Sequence, residues 1–386
     1  ELPAIARIAA ALVAALLISF IATPVVKSIA QMVGAVDVPK DNRRMHNHPI
    51  PRMGGLAIFL GFLLSTLIFV PMSSSMRGML LGGVIIVILG IFDDIYALPA
   101  LPKLLVQIAA ALVAVLHGNV IQVLSNPNIF SENPYWTLGS LAVPLSVIWI
   151  VAITNAVNLI DGLDGLAVGV ATISSLTMLV IAMLVSENVV ALMMAALAGG
   201  CIGFMPYNLN PAKIFMGDTG STFLGFVLAT VSIQGLFKFY TIISFAVPFL
   251  MLGLPLFDTC FAILRRLAKG QSPMAPDRSH VHHRLIDMGF NQKQAVAILY
   301  VISAILGLSA VVLTTSGALK AMVLLCALCL AGLISGKIFL SHNENHQEKT
   351  KEKESNDHAI ESHDDLRDPP GGGEDGPSGK GTGEQS

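Results

Sequence analysis

Polar positions along this chain are few, and they are not scattered. Apolar runs recur at roughly 5–26, 53–71, 78–96, 103–118, 138–154, 164–185, 188–206, 219–236, 240–262, 294–314 and 318–338. Each is near the ~20 residues a helix needs to cross the hydrocarbon of a bilayer. The runs are continuous and lack the period-two alternation of barrel strands, so strands are not expected. The pattern predicts an all-α, polytopic integral membrane protein with eleven transmembrane helices. The first run is too long, and lacks the small-residue cleavage site, to be a removable signal peptide. Because the chain opens at Glu1 rather than Met, a few native residues are expected ahead of it.

The loops between these runs alternate in charge. One set (27–52, 97–103, 155–163, 207–218 and 263–293) holds thirteen Lys and Arg residues, whereas the opposite set holds three, Arg77, Lys238 and Lys320. The basic set is expected on the cytoplasmic side, with the N-terminus outside and the C-terminus inside.

Composition agrees. The chain of 386 residues is 54% hydrophobic and only 12% charged, with a mean hydropathy of +0.72, where a soluble domain carries about 25% charged residues. The character changes near residue 341. Residues 1–340 form the predicted transmembrane domain, and 341–386 are polar, charged and Gly/Pro-rich, with almost nothing to bury, so this tail is expected to be disordered. Its histidines (His342, His346, His358, His363) read as solvated rather than as metal ligands. No basic cluster interleaved with aromatics points to a nucleic-acid partner. Cys201 and Cys260 stand alone, and the Cys326–Cys329 pair sits in an apolar run without a second pair or a nearby histidine. All four read as small core residues.

The acids are sorted. Before residue 341 there are thirteen: Glu1, Glu132 and Glu187 on the predicted outer side, and ten aspartates at 37, 41, 93, 94, 161, 164, 218, 258, 277 and 287, all in predicted cytoplasmic loops or span ends. Ionisable groups at membrane depth are costly and are functional candidates by default. The sorting therefore points to one site at the cytoplasmic face.

In "GIFDDIYALPALPKLLVQ", Asp93 and Asp94 close the third run and Lys103 opens the fourth. Acids at a helix C-terminus oppose the macrodipole, which favours function over solvated decoration. In "NAVNLIDGLDGLA", Asn155, Asn158, Asp161 and Asp164 recur at a spacing of three, and Gly162 and Gly165 imply a bend that lets all four converge. "FMPYNLNPAKIFMGDTGSTFLG" brings Asn208, Lys213 and Asp218 into one loop, where Asp218 reads equally as a helix N-cap or as a ligand. Asp258 in "LPLFDTC" lies a turn inside its span, with Arg265 or Arg266 as a structural partner. "SPMAPDRSHVHHRLIDMG" offers His280, His282, His283 and Arg284, an anion or phosphate cradle rather than zinc chemistry, since no Glu or Cys is close. In the basic first loop, Arg43, Arg44, His46 and Arg52 could hold an anion, with Gly54–Gly55 permitting close approach. Hard carboxylates suit Mg²⁺, and cations beside them suit phosphates. Phosphoryl transfer asks little of a protein beyond positioning and charge neutralisation. A water-soluble phosphorylated substrate and a lipid would meet at such a site.

The segments "HNHPIPRMGG", "FDD", "NAVNLIDGLDGLA", "NLNPAKIFMGDTGS" and "HVHHRL", in that order, resemble the polyprenyl-phosphate N-acetylhexosamine-1-phosphate transferases over roughly residues 5–335. The resemblance implies transfer of a sugar phosphate from a UDP-sugar to undecaprenyl phosphate, with release of UMP. It also implies dependence on Mg²⁺, with Mn²⁺ as a substitute, a bacterial cell membrane, and a homodimer. By motif, Asp93 and Asp94 would be the aspartate pair near the lipid phosphate, Asp94 first as the base, and Asp218 with Asp94 would hold the metal. Asn158, Asp161, Asp164 and Asn208 would line the nucleotide-sugar site, with Phe215 near the uracil. His280, His282, His283 and Arg284 would bind phosphates, joined by Lys103, Arg52 and His46. A covalent aspartyl intermediate and a single displacement both stay open. "HVHHRLIDMGFNQKQ" lacks the Trp and the Glu of the acidic, Trp-containing segment that follows the histidines in the branch using UDP-MurNAc-pentapeptide, so it looks like the UDP-GlcNAc branch. "DVPKDNRRMHNHPIPRMGGLAIF" looks closest to enzymes that begin wall teichoic acid linkage units. The pentapeptide donor is the alternative within the class. A secondary transporter would place acids at mid-bilayer in inverted repeats, and a membrane scaffold would leave the body aspartates without a role.

Overall fold

The computed structural model describes residues 3–38, 49–125, 135–235, 243–268, 270 and 280–315. The chain divides into two units, Glu1–Gly332 and Leu333–Ser386, and all described residues belong to the first. The eleventh predicted span, the Cys326–Cys329 pair, the tail, His46, Arg43, Arg44 and Arg278 lie outside the described residues.

The described residues are mostly helical. In chain order the helices are α1 (Ala4–Met32), α2 (Gly55–Phe69), α3 (Ser74–Tyr96), α4 (Ala100–Leu116), α5 (Ala142–Leu159), α6 (Leu166–Leu184), α7 (Asn188–Asn208), α8 (Gly217–Gly235), α9 (Ile243–Met251), α10 (Gly253–Ala268), α11 (Val281–Asp287) and α12 (Gln292–Thr314). Six segments among the described residues are long and apolar enough to cross a membrane: α1, α3, α5 with the short turn leading into it, α6, α7 and α12. The chain is a multi-pass membrane protein.

Several predicted runs are built differently. The run at 53–71 becomes the 15-residue α2, which stops before Pro71 with Val70 extended, the conformation a following proline imposes. The run at 240–262 divides into α9 and α10 at Leu252. Pro255 has no N–H to give to the Met251 carbonyl, so the helix restarts at Gly253 and places the proline in its first turn, where it is tolerated. Two short antiparallel pairs also form where none was expected: β1 (Val36–Asp37) with β2 (Ile50–Pro51), and β3 (Val123–Ser125) with β4 (Tyr135–Thr137).

The centre of the unit is α8. Of its residues only Asp218 is not buried, as expected for a helix enclosed by others. It packs against α2, α3 and α5. Two contacts set its N-terminal end. A Cβ at Gly55 would stand 1.9 Å from Gly220 Cα, and one at Gly90 would stand 2.4 Å from Thr219 Cα. Only glycine lets the helix backbones approach this closely. The Gly54–Gly55 pair, expected to admit an anion, is thus taken up by packing inside the protein. The β1–β2 ribbon fixes the neighbouring strand: Arg52 N donates to Ala35 O, Phe215 N to Pro51 O, and Gly54 N to Phe215 O, at 2.8–2.9 Å. These bonds hold Arg52 beside the start of α8.

Candidate active site

The C-terminal end of α3, the start of α4, the C-terminal end of α5 and the start of α8 meet, and their polar side chains enclose one cleft. It is lined by Leu89, Gly90, Asp93, Lys103, Gln107, Asn155, Asn158, Asp218 and Thr222. Asp218 is its centre. Asn158 Nδ2 donates to Asp218 Oδ1 at 3.1 Å, Lys103 Nζ to Asp218 Oδ2 at 3.4 Å, and Arg52 Nη2 stands 3.9 Å from Oδ1. Lys103 also donates to Asp93 Oδ2 at 2.7 Å, while the backbone N of Leu98 donates to Asp93 Oδ1 at 2.7 Å. Asn158 is held in turn by Ser221 Oγ at 2.8 Å.

Asp94 is placed differently from Asp93. Its side chain is 0% exposed, and both oxygens face the beginning of α8. Oδ1 accepts from Asp218 N at 2.9 Å, and Oδ2 accepts from Thr219 N at 3.1 Å and Thr219 Oγ1 at 2.7 Å. Expected as the base and as a metal ligand, Asp94 is engaged by the start of α8, and Asp93 is the member of the pair that lines the cleft. The N-cap reading of Asp218 changes for the same reason. Asp218 lies inside the first turn of α8, and the cap comes from Asp94 on another helix.

The "NAVNLIDGLDG" stretch does bend: α5 ends at Leu159, α6 begins at Leu166, and Gly165 takes φ +80° between them. Asn155 and Asn158 both line the cleft, whereas Asp164 is engaged by the loop before α8. Asn158 serves Asp218, and Asn155 Nδ2 donates to Gln107 Oε1 at 2.7 Å. Asp164 Oδ2 accepts from Asn210 Nδ2 and from Ala212 N, each at 3.0 Å. Asp161 lies in the bend between α5 and α6. Burial, and after it the charge of Asp218, pushes its carboxyl up to about 8. Asn208, expected to line the donor site, is buried with both ends of its amide in use. Its Oδ1 accepts from Gly165 N at 3.1 Å and its Nδ2 donates to Ile214 O at 3.0 Å. It staples the bend to the loop before α8. Phe215 is half-buried in that loop.

His280 and His282 are buried, with parallel rings whose centroids are 5.8 Å apart, and His283 packs on His282 at 4.3 Å. Asp258 pairs with His280: its Oδ2 lies 2.8 Å from His280 Nδ1, and its Oδ1 accepts from Val281 N at 2.9 Å. One carboxylate therefore orients the imidazole and caps α11. Burial, and next to it the His283 ring, lowers the His282 imidazole to about 4. A Cβ at Gly162 would lie 2.3 Å from His282 Nε2, which brings the histidines against the "DGLDG" bend. Arg284 is exposed on α11.

Sequence reasoning missed Gln107, Ser221, Thr222 and Thr219. The signal was there in helical spacing: Gln107 follows Lys103 by four and Thr222 follows Asp218 by four, so each lies on the same face one turn deeper. Among the described residues no group of three or more His, Cys, Asp or Glu is poised on a metal. Mg²⁺, however, is commonly bound through one or two carboxylates with substrate phosphates, and Asp218 with Asp161 supplies hard oxygens of that kind.

The chain resembles known proteins along most of its length. A family model described as glycosyl transferase family 4 matches residues 76–236, which include Asp93, Asp94, Lys103, Asn158 and Asp218. A "Probable undecaprenyl-phosphate N-acetylglucosaminyl 1-phosphate transferase" of Bacillus subtilis is 43% identical over 311 residues, 80% of this chain and 86% of the relative. A decaprenyl-phosphate N-acetylglucosaminephosphotransferase of Mycobacterium tuberculosis is 35% identical over 74% of this chain and 77% of its own length. An undecaprenyl-phosphate alpha-N-acetylglucosaminyl 1-phosphate transferase of Thermotoga maritima is 34% identical over 69% of this chain and 78% of its own. The chain belongs to the glycosyl transferase family 4 group of polyprenyl-phosphate N-acetylhexosamine-1-phosphate transferases.

Proposed function

We propose that the protein transfers GlcNAc 1-phosphate from UDP-GlcNAc to undecaprenyl phosphate, giving undecaprenyl-pyrophosphoryl-GlcNAc and UMP. The observation that carries this reading is the single cleft in which Asp93, Lys103, Asn158 and Asp218 meet, within a chain similar along most of its length to transferases of that name. In the reaction an oxygen of the lipid phosphate attacks the sugar-bearing phosphorus of the donor. The bond to the bridging oxygen breaks, and UMP leaves with the electron pair.

Asp93 is assigned as the group that takes a proton from, or holds, the attacking phosphate, because it lines the cleft beside Lys103. Lys103 and Arg52 place positive charge where the pentavalent phosphorus and the departing UMP gather negative charge. Asn158 fixes the Asp218 carboxylate. His280 and His282 are assigned to the donor phosphates as hydrogen-bond donors, and Phe215 to the uracil face. Asp218, with Asp161, would hold Mg²⁺. The fit is chemical: a carboxyl at Asp161 pushed to about 8 beside the Asp218 charge marks a place short of positive charge. A bound Mg²⁺ would neutralise the pyrophosphate and its leaving group.

The loop charges support a cytoplasmic-face site in a bacterial membrane, and the resemblance of the first loop supports a first membrane step in teichoic acid synthesis. The test is UMP release by the purified protein in detergent with Mg²⁺. Release that requires both UDP-GlcNAc and undecaprenyl phosphate is expected, and release from UDP-GlcNAc alone at the same rate would replace transfer by hydrolysis.

A further inference from the structure

We propose that Asp94 is a positioning residue: it sets the Asp218 carboxylate by capping the N-terminus of α8 from the end of α3. The inference rests on the transferase reading for what Asp218 does, and on geometry alone for what Asp94 does.

The first N–H groups of a helix have no partner inside it. At α8 this end is buried among other helices, so water cannot serve. Asp94 supplies two of the missing acceptors across 124 and 125 residues of sequence, with one oxygen to Asp218 N and the other to Thr219 N. The Thr219 hydroxyl adds a third bond, at 2.7 Å, and Arg52 Nε stands 3.5 Å from Oδ1. Three hydrogen-bond donors thus converge on one carboxylate, with the Arg52 guanidinium beside it, and the three bonds tie the end of α3 to the first turn of α8.

Gly217 shows how tightly the contact is built. It takes φ +73°, and a Cβ there would lie 2.3 Å from Asp94 Oδ2. The carboxylate also answers the positive end of the helix dipole. Its effect on chemistry passes through one covalent step. The amide it fixes is that of Asp218, whose side chain then points away from Asp94, to Asn158 and Lys103.

The experiment uses the full chain in detergent, with Asp94→Asn, Thr219→Val, the double variant and Thr219→Ser. Thr219→Val keeps the helix and both backbone bonds and removes only the hydroxyl bond to Asp94, so the test survives if Asp94→Asn does not fold. Amide hydrogen exchange across 216–221 needs no substrate. It is expected to rise about tenfold or more in Asp94→Asn and Thr219→Val, about the loss of one hydrogen bond. Calorimetric affinity for UDP-GlcNAc with Mg²⁺, measured without lipid, is expected to weaken in both. Turnover is expected to fall in both, with a double-variant loss smaller than the product of the two, and to recover in Thr219→Ser. Unchanged exchange and donor affinity in Asp94→Asn, with turnover abolished and Thr219→Val at the native rate, would overturn the proposal and make Asp94 the base. A native protein that does not bind UDP-GlcNAc would sink the transferase reading instead, leaving exchange to judge the cap.

Discussion

Lys103 donates a 2.7 Å hydrogen bond to Asp93, and the same Nζ stands 3.4 Å from Asp218, so one ammonium joins the end of α3 to the start of α8. One ammonium nitrogen serves both carboxylates, whereas a planar guanidinium is longer and divides its N–H groups between fixed directions. Lys103→Ala is expected to lower kcat about 10²–10³-fold, the scale of losing one charge-stabilising group. Lys103→Arg is expected to restore little of it. Near-native turnover in Lys103→Arg would show that only the sign of the charge matters.

Asp218 accepts from Asn158 and Lys103 and stands within ion-pair reach of Arg52. Asp218→Asn keeps the shape and removes the charge. The variant is expected to insert and to elute as the native protein does, with no turnover above background at any Mg²⁺ concentration. Activity within a few-fold of native would refute the ligand role.

Asn208 has one amide atom on Gly165 N and the other on Ile214 O. Truncation leaves a buried donor and a buried acceptor unpaired, each at a cost of about 1–3 kcal/mol. Asn208→Ala is therefore expected to lower the melting temperature in detergent even without ligand. A variant with native thermal stability but a raised KM for the donor would return Asn208 to the substrate-lining role its motif suggested.

The buried His282 imidazole, lowered to about 4, makes stability depend on pH. Between that value and the ordinary histidine pKa of about 6.5 the unfolded chain binds the extra proton, so stability rises with pH across this window. Melting temperature is expected to climb from pH 4.5 to 6.5 and to climb less in His282→Gln. An unchanged slope in the variant would place the titration elsewhere.

How far the chain could be read without coordinates depended on the distance over which each signal acts. Apolar runs and the sorting of aspartates are local or additive, and they pointed to a membrane helix bundle and to Asp93, Asn158 and Asp218. The pairing of Asp94 with the start of α8 spans more than a hundred residues, and nothing near Asp94 announces it. A glycine pair reads the same whether a ligand or another helix approaches, so Gly55 became legible only against Gly220. The Asp258–His280 pair joins two elements in the same way, and the sequence offered Arg265 and Arg266 as nearer partners. Gln107 and Thr222 lie one turn deeper on the helical faces of Lys103 and Asp218, so helical spacing alone reaches them.

The most direct test of the account is transfer of label to lipid. Purified protein in detergent is given undecaprenyl phosphate, Mg²⁺ and radiolabelled UDP-GlcNAc, with parallel tubes holding EDTA or UDP-MurNAc-pentapeptide. The account predicts butanol-extractable label from UDP-GlcNAc with Mg²⁺ and none with EDTA or from the pentapeptide donor. Label from the pentapeptide donor alone, or from neither donor with folded protein, would contradict it.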